Sequence, residues 1–215
     1  MKIFLAIVFI AFSFTAFSQN DDKAIRVLDQ LSEKIDSYKT LHIQFNVIVE
    51  NTQEGSTDTM PGILYYKDDK YRLEFVDQIV FSHGNTTYSY LKDVEEINIT
   101  ESEELEEPDI FDPKSLLKNY KSNYKCRFIS DRFVRNRPLV EIDLIPIDIE
   151  DKSYSRISLL IDKSKIELFS VLYLGKDGTG FLVEFLSFKI NTEIPDSLVI
   201  FNENDYPNAD IIDMR

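Results

Sequence analysis

A mainly β, α+β fold is predicted: one strongly curved antiparallel sheet, an incomplete β-barrel, with an N-terminal and a middle helix as a lid. Three observations predict it. A helical apolar stripe near the start switches abruptly to two-residue alternation, about eleven short alternating segments follow between polar turns, and one Pro-initiated helix interrupts them.

The chain opens with Lys2 ahead of an apolar run of about a dozen residues, 3–14. This is an export-signal pattern, shorter than the roughly 17 apolar residues a retained membrane anchor would need. Ala16 and Ser18 place small residues three and one positions before Gln19. Residues 1–18 are therefore expected to be a cleaved signal peptide and 19–215 a single domain, long enough for one sizeable core and short for two.

Asn20, Asp21 and Asp22 offer helix N-caps, and Ala24, Val27, Leu28, Leu31, Ile35 and Tyr38 recur at three- and four-residue spacing. An amphipathic helix ending near Lys39 is expected. Leu41, Ile43, Phe45, Val47 and Val49 then alternate with His42, Gln44, Asn46 and Glu50, a half-buried strand. Beyond a polar turn at 53–58, strands are expected over 62–67, 71–76, 78–81, 86–91 and 94–100, a meander of antiparallel neighbours.

Asp112 and Pro113 give a capped start to a short helix over 112–118. Further strands are expected at 124–130, 139–147, 155–162, 166–174, 179–190 and 198–201, with Asp177 and Gly178 as a hairpin turn. The strand over 179–190 reads as apolar on both faces, Phe181, Val183 and Phe185 against Leu182, Leu186, Phe188 and Ile190. On periodicity alone, a curved incomplete barrel and an ordinary closed sandwich predict the same pattern.

Composition narrows the function. A net charge of −14 repels nucleic acid and anionic headgroups at long range, so no nucleic-acid partner is expected. Ten carboxylates and no base fall between Asp93 and Asp112. Such a run reads as a solvated loop, as a docking surface for a basic partner through Glu103, Glu104, Glu106 and Glu107, or, last, as a calcium site, for which the Gly-centred Asp loop is missing. Cys126, the single cysteine, forms no internal disulfide and reads as a buried, inert side chain. It lies far from the cleavage point, so the chain is not expected to be a lipoprotein itself.

The parts of catalytic sites are scarce. His42, on a polar strand face, and His83, in a turn, read as surface residues, and with one cysteine they are too few for a zinc site. A dyad of Cys126 with a histidine is possible on paper only. Carboxylates are numerous enough for a glycosidase-like pair, but there is no tryptophan platform. Gly175, Gly178 and Gly180 echo a phosphate loop, yet stand between strands with no helix N-terminus behind them. A non-enzymatic protein with no cofactor and no metal is expected.

A signal peptide and one amphipathic helix precede Leu41, His42, Ile43, Gln44 and Phe45, then a strand opened by Gly62, then Tyr71, Arg72, Leu73 and Glu74. The turn of His83 and Gly84 leads to Tyr88 and Tyr90. Residues 157–162 and 176–179 follow, then Tyr206, Pro207 and the closing 211–215. Each motif is weak alone, but their order resembles the periplasmic outer-membrane lipoprotein-carrier (LolA-like) family over nearly all the mature chain. The resemblance implies an incomplete barrel lidded by helices whose apolar interior takes the acyl chains of lipoproteins for transfer across the periplasm. Two departures stand out. Where the family carries an Arg-Pro pair whose arginine latches the lid, this sequence has Asp68 and Asp69, and the family's tryptophan before the aromatic strand is replaced by Thr87 or Tyr88.

On that reading the cavity is lined by Leu28, Leu31 and Ile35 of the helix with Ile43, Phe45, Val47, Leu64, Tyr66, Leu73 and Phe75 of the sheet. Plain core is the alternative for each, and a one-residue error in register would invert the face. The implied partners are acylated lipoproteins, an inner-membrane lipoprotein-releasing complex and an outer-membrane acceptor, with the protein a soluble periplasmic monomer. The alternative is a non-enzymatic module on the same fold that senses lipids or lipoproteins and docks through its acidic run. A secreted hydrolase stands third, for want of a nucleophile and base.

Overall fold

Strand alternation carries most of the chain into one sheet. The computed structural model describes residues 16–51, 56–101 and 111–215. The strands are β1 (Thr40–Asn51), β2 (Ser56–Lys67), β3 (Lys70–Glu74), β4 (Gln78–His83), β5 (Thr86–Leu91), β6 (Glu96–Glu101), β7 (Tyr124–Val134), β8 (Arg137–Pro146), β9 (Tyr154–Asp162), β10 (Glu167–Gly175), β11 (Gly180–Ile190) and β12 (Asp210–Asp213). Their order is β12-β6-β5-β4-β3-β2-β1-β11-β10-β9-β8-β7, and only β12 pairs in parallel, with β6. The sheet is curved and its edges, β12 and β7, do not meet. It is thus the unclosed barrel and not the sandwich. Around it lie the helices α1 (Ala16–Asp36), α2 (Pro113–Leu117), α3 (Tyr120–Asn123) and α4 (Asp196–Val199).

Several elements differ from expectation for physical reasons. Helix α1 starts upstream of the expected caps and ends at Asp36, because Ser37 and Tyr38 already turn back onto Glu33 and Ile35 and Thr40 pairs with Lys67. Strand β2 begins at Ser56 rather than Gly62, since its ladder with β1 runs from Thr40↔Lys67 through Asn46↔Pro61 to Asn51↔Ser56. Pro61 fits there because β3 pairs with β2 only over Ile63–Lys67, which leaves the outer side of β2 free of a ladder at the proline. The expected strand at 198–201 is instead helix α4 running into extended chain, and the last strand is β12, short and exposed.

The two-faced reading of β11 is corrected by one extra residue. Gln44 faces Ser187 and Phe45 faces Phe185, so Leu186 is a bulge. Phe181, Val183 and Phe185 before the bulge and Phe188 and Ile190 after it all pack against the main core, while Leu186 is 52% exposed.

That core lies on the concave face. Ala24, Leu28, Leu31 and Ile35 of α1 and Leu116 and Leu117 of α2 pack onto β1–β3 and β7–β11. Asp112 caps α2 by accepting a 2.9 Å hydrogen bond from Lys114 N, with Pro113 at the first helical position. In β4–β6 the buried side switches. Ile79, Phe81, Ile97 and Ile99 turn to the convex face, where Phe201 and Tyr206 cover them through ring contacts such as Tyr88–Phe201 at 4.4 Å and Tyr90–Tyr206 at 4.6 Å.

Candidate functional site

Register brings the seven strand residues read as lining onto one face, and Leu28, Leu31 and Ile35 of α1 pack in the same cluster. Ile43 stands opposite Leu64, and Leu64 opposite Leu73, while Leu41 and Tyr66 pair beside them. Leu28, Leu31, Ile35, Ile43, Phe45, Val47, Leu64, Tyr66 and Leu73 are buried in one cluster, and Phe75 packs against it half-buried. Phe45 is the centre of an aromatic group: it stacks on Phe111 at 5.6 Å and meets Phe75 edge-on at 5.9 Å and Phe185 at 6.5 Å. Its cross-strand partner is Gly62, and any Cβ at that position would overlap the Phe45 ring. The concave face is filled by the protein's own side chains, those of α1 and Phe111 foremost.

Polar ties hold α1 over this face. At its N-terminal part, Lys23 lies 2.6 Å from Asp131 on β7 and 3.7 Å above the Phe128 ring, with Lys163 3.0 Å from the same carboxylate. In its middle, Asp29 accepts from the Tyr120 hydroxyl at 2.7 Å and pairs with Lys121 at 2.5 Å. Near its end, Lys34 pairs with Glu167 at 3.4 Å and donates to the Lys165 carbonyl. Lys121 and then Tyr120 hold the Asp29 carboxyl below its ordinary range, and Lys23 and Lys163 do the same for Asp131. Exposed pairs of this kind are worth about 0–1 kcal/mol each. Burial of the apolar stripe holds the helix more strongly, at about 1.5–3 kcal/mol for each leucine or isoleucine.

The place of the family's latch is a turn. Asp68 and Asp69 have φ of 48° and 60°, and Asp69 accepts a 2.5 Å hydrogen bond from the buried Tyr66 hydroxyl. Lys114 of α2 sits 4.3 Å over the Tyr66 ring and donates to the Tyr38 carbonyl at 3.0 Å, tying the second helix to the same spot.

The remaining sequence candidates fall elsewhere. Glu103, Glu104, Glu106 and Glu107 lie outside the described residues. His42 and His83 are not surface side chains. Both are half-buried and stacked on tyrosines, Tyr65 at 4.7 Å and Tyr88 at 5.1 Å, and burial lowers the His42 pKa. Cys126 is buried on β7, opposite Leu144. Among the described residues no group of three or more His, Cys, Asp or Glu is placed to hold a metal. Sequence reading missed Phe111, whose only signal was an aromatic directly before the Asp112 cap, and it missed the ties of Lys23, Asp29 and Lys34, which look like any solvated helix face.

No family model matches the sequence, and no curated protein matches it. Among solved structures, the chain is similar to an uncharacterized conserved protein from Thermus thermophilus, at 13% identity over 89% of this chain and 99% of that one, with a TM-score of 0.58. It is also similar to a DUF1329 family protein from Desulfovibrio piger, at 10% identity over 87% and 99%, with a TM-score of 0.52. A putative outer membrane lipoprotein-sorting protein domain from Vibrio parahaemolyticus aligns over the same shares at 12% identity, with a TM-score of 0.49. The first two likenesses show a shared fold. The unclosed, helix-lidded sheet is also the architecture that the sequence resemblance implies. No helix among the described residues is long and apolar enough to cross a membrane.

Proposed function

We propose that this protein is a periplasmic carrier that takes up the acyl chains of lipoproteins on its concave apolar face and shuttles them towards the outer membrane. The observation that carries the reading is the division of labour on α1. Its apolar stripe of Leu28, Leu31 and Ile35 completes a core that the unclosed sheet leaves open, and every charged tie around it is an exchangeable, partly exposed contact. The ten lining residues are the proposed binding surface.

The magnitudes favour exchange. Shielding an acyl chain of about 16 carbons from water is worth roughly 12 kcal/mol, at about 0.8 per methylene. Lifting three large apolar side chains of α1 out of the core costs about 5–9 kcal/mol. A chain entering beneath the helix therefore replaces what the helix gives up. Export by the expected signal peptide supplies the compartment, and the sequence resemblance supplies the cargo and the partners at each membrane.

Native mass spectrometry of the protein purified from periplasm, together with release of lipoproteins from inner-membrane spheroplasts, tests the proposal. Co-purifying acylated ligand and release are expected. Failure of both would end the carrier reading.

A further inference from the structure

The sheet ends on a strand with one open side. Strand β12 pairs with β6, and no strand lies beyond it among the described residues. Asp210 N donates to the Glu95 carbonyl and Met214 N to the Ile99 carbonyl, both at 2.9 Å. Alternate residues of a parallel ladder turn both main-chain groups to the same neighbour, so Ile211 and Asp213 turn theirs away from β6. Two donors and two acceptors thus stand in register for a further strand.

The side chains around them are apolar and uncovered. Ile211 continues the row of the buried Ile97 on the convex face and is 39% exposed. Ile212, 42% exposed, points to the other face beside Asn98, and Met214 follows it there, 56% exposed. Open edges are normally guarded by charge, proline or a covering element, and exposed apolar side chains on both faces of one are the reverse of that.

Charge selects the occupant. Asp210 stands directly opposite Glu96, and like charges so placed destabilise a strand pair. Glu96 accepts from the Asn98 amide at 2.9 Å, and neither carboxylate is in an ion pair among the described residues. Cations supplied by neighbouring chain are taken: Arg215 lies 2.6 Å from Asp213, and Lys92 donates to the Phe75 and Val76 carbonyls at 2.6 and 3.0 Å. A second copy of this chain would bring Asp210 and Asp213 against their own like charge, whereas a basic strand would neutralise them.

We infer that the open edge of β12 is a docking strand for a partner protein, taking an extended segment in which basic and apolar residues alternate. Its main chain pairs with Ile211 and Asp213. Its Lys or Arg side chains lie on the face of Asp210 and Glu96, their stems over Ile212, and its apolar side chains lie on the face of Ile211. Docking there goes beyond the carrier reading and does not depend on it. Five strands separate β12 from β1, so a docked segment leaves the concave apolar face free.

Fluorescence anisotropy with a labelled, end-capped peptide of four Lys-Val repeats at low salt tests it, beside Glu-Val and Lys-Pro peptides of the same length. The Lys-Val peptide is expected to bind and the Glu-Val peptide not to. The Lys-Pro peptide has the same charge but lacks a main-chain donor at every second residue, and it is expected to bind about tenfold more weakly or less. Ile211→Pro removes the outward N–H while sparing those that bond β6, so it should bind the Lys-Val peptide about three- to tenfold more weakly than Ile211→Ala. Asp210→Asn should weaken it a few-fold and flatten its salt dependence. Equal affinity of the Lys-Val and Lys-Pro peptides would reduce the attraction to diffuse charge and overturn the docking strand. Equal affinity of Ile211→Pro and Ile211→Ala would overturn it too, and so would failure of the Lys-Val peptide to bind the wild type at millimolar concentration. Should Ile211→Pro disturb the fold, the two basic peptides on the wild type decide the matter.

Discussion

The Tyr120 hydroxyl donates a 2.7 Å hydrogen bond to Asp29, so the short helix α3 grips the middle of α1. Tyr120 is 4% exposed, and its phenol is pushed above the ordinary range first by burial and then by the Asp29 bond. Removing the acceptor leaves the buried donor only a long, 3.5 Å contact with the Ile25 carbonyl, whereas removing Lys23 breaks an exposed pair and a contact with the Phe128 ring. Asp29→Ala is expected to cost about 1–2 kcal/mol and Lys23→Ala about 0.5. Urea denaturation measures both, and hydrogen exchange should show the α1 amides opening faster in Asp29→Ala. Equal costs would mean that Tyr120 finds another partner.

The same ties set a pH limit on the lid. Asp29 and Asp131 have folded pKa values below the ordinary 3.8, held there by Lys121 and Tyr120 and by Lys23 and Lys163. A carboxylate lowered in the folded state contributes its full stabilisation above its unfolded pKa and loses it as pH falls through the folded value. The helix should stay docked at neutral and mildly acidic pH and loosen only below about pH 4. Binding of an environment-sensitive dye such as ANS should therefore be flat until that point. A rise in dye binding near pH 6 would assign the lid to other titrating groups.

Phe111 is a plug supplied by the segment just ahead of α2. It stacks on Phe45 at 5.6 Å and meets Phe75 at 5.3 Å, on the face proposed for ligand. Phe111→Ala should lower stability, by up to about 3 kcal/mol given that the side chain is only half-buried, and should tighten binding of an alkyl ligand by vacating its place. Parallel denaturation and dodecanol titration check the two signs. Loss of stability with weaker binding would make Phe111 part of the ligand's wall.

Tyr38 carries the opposite expectation. Its hydroxyl is buried without a partner, and burial, then Glu167, push its pKa up to about 12. An unsatisfied buried hydroxyl costs about 1–3 kcal/mol, so Tyr38→Phe should stabilise the unliganded protein by about 1 kcal/mol. A lower denaturation midpoint for Tyr38→Phe would mean that the hydroxyl is satisfied in solution.

Much of this was legible in the residues. Period-two alternation over Leu41, Ile43, Phe45 and Val47 marked both the strand and its inward face, because that face of β1 is buried from Leu41 to Val47, though not at Val49, and the other is not. The α1 stripe was legible for the same reason. Phe188 and Ile190 were read onto the wrong side because the Leu186 bulge shifts alternation by one, and a bulge leaves no pattern in a strand apolar throughout. Strand β12 was missed since Ile211 and Ile212 are exposed and gain their place only from a parallel ladder with β6, a long-range partner.

Gly62 shows how tightly the proposed ligand face is drawn. It stands opposite Phe45, and a methyl group at residue 62 would overlap the Phe45 ring. The ring is 1% exposed and confined by Phe75, Phe111 and Phe185, so it has little room to swing away. Alanine normally favours a strand interior over glycine by about 0.5–1 kcal/mol, through the unfolded chain's entropy. Overpacking in a filled core costs about 1–3 kcal/mol and should win here. Gly62→Ala is therefore expected to destabilise by about 1–2 kcal/mol, and pairing it with Phe45→Leu should recover most of that loss relative to Phe45→Leu alone. Denaturation of the four members of that cycle measures the coupling. A coupling near zero would show that the Phe45 ring moves freely, as it would if the face were loosely packed rather than closed over by its own aromatic side chains.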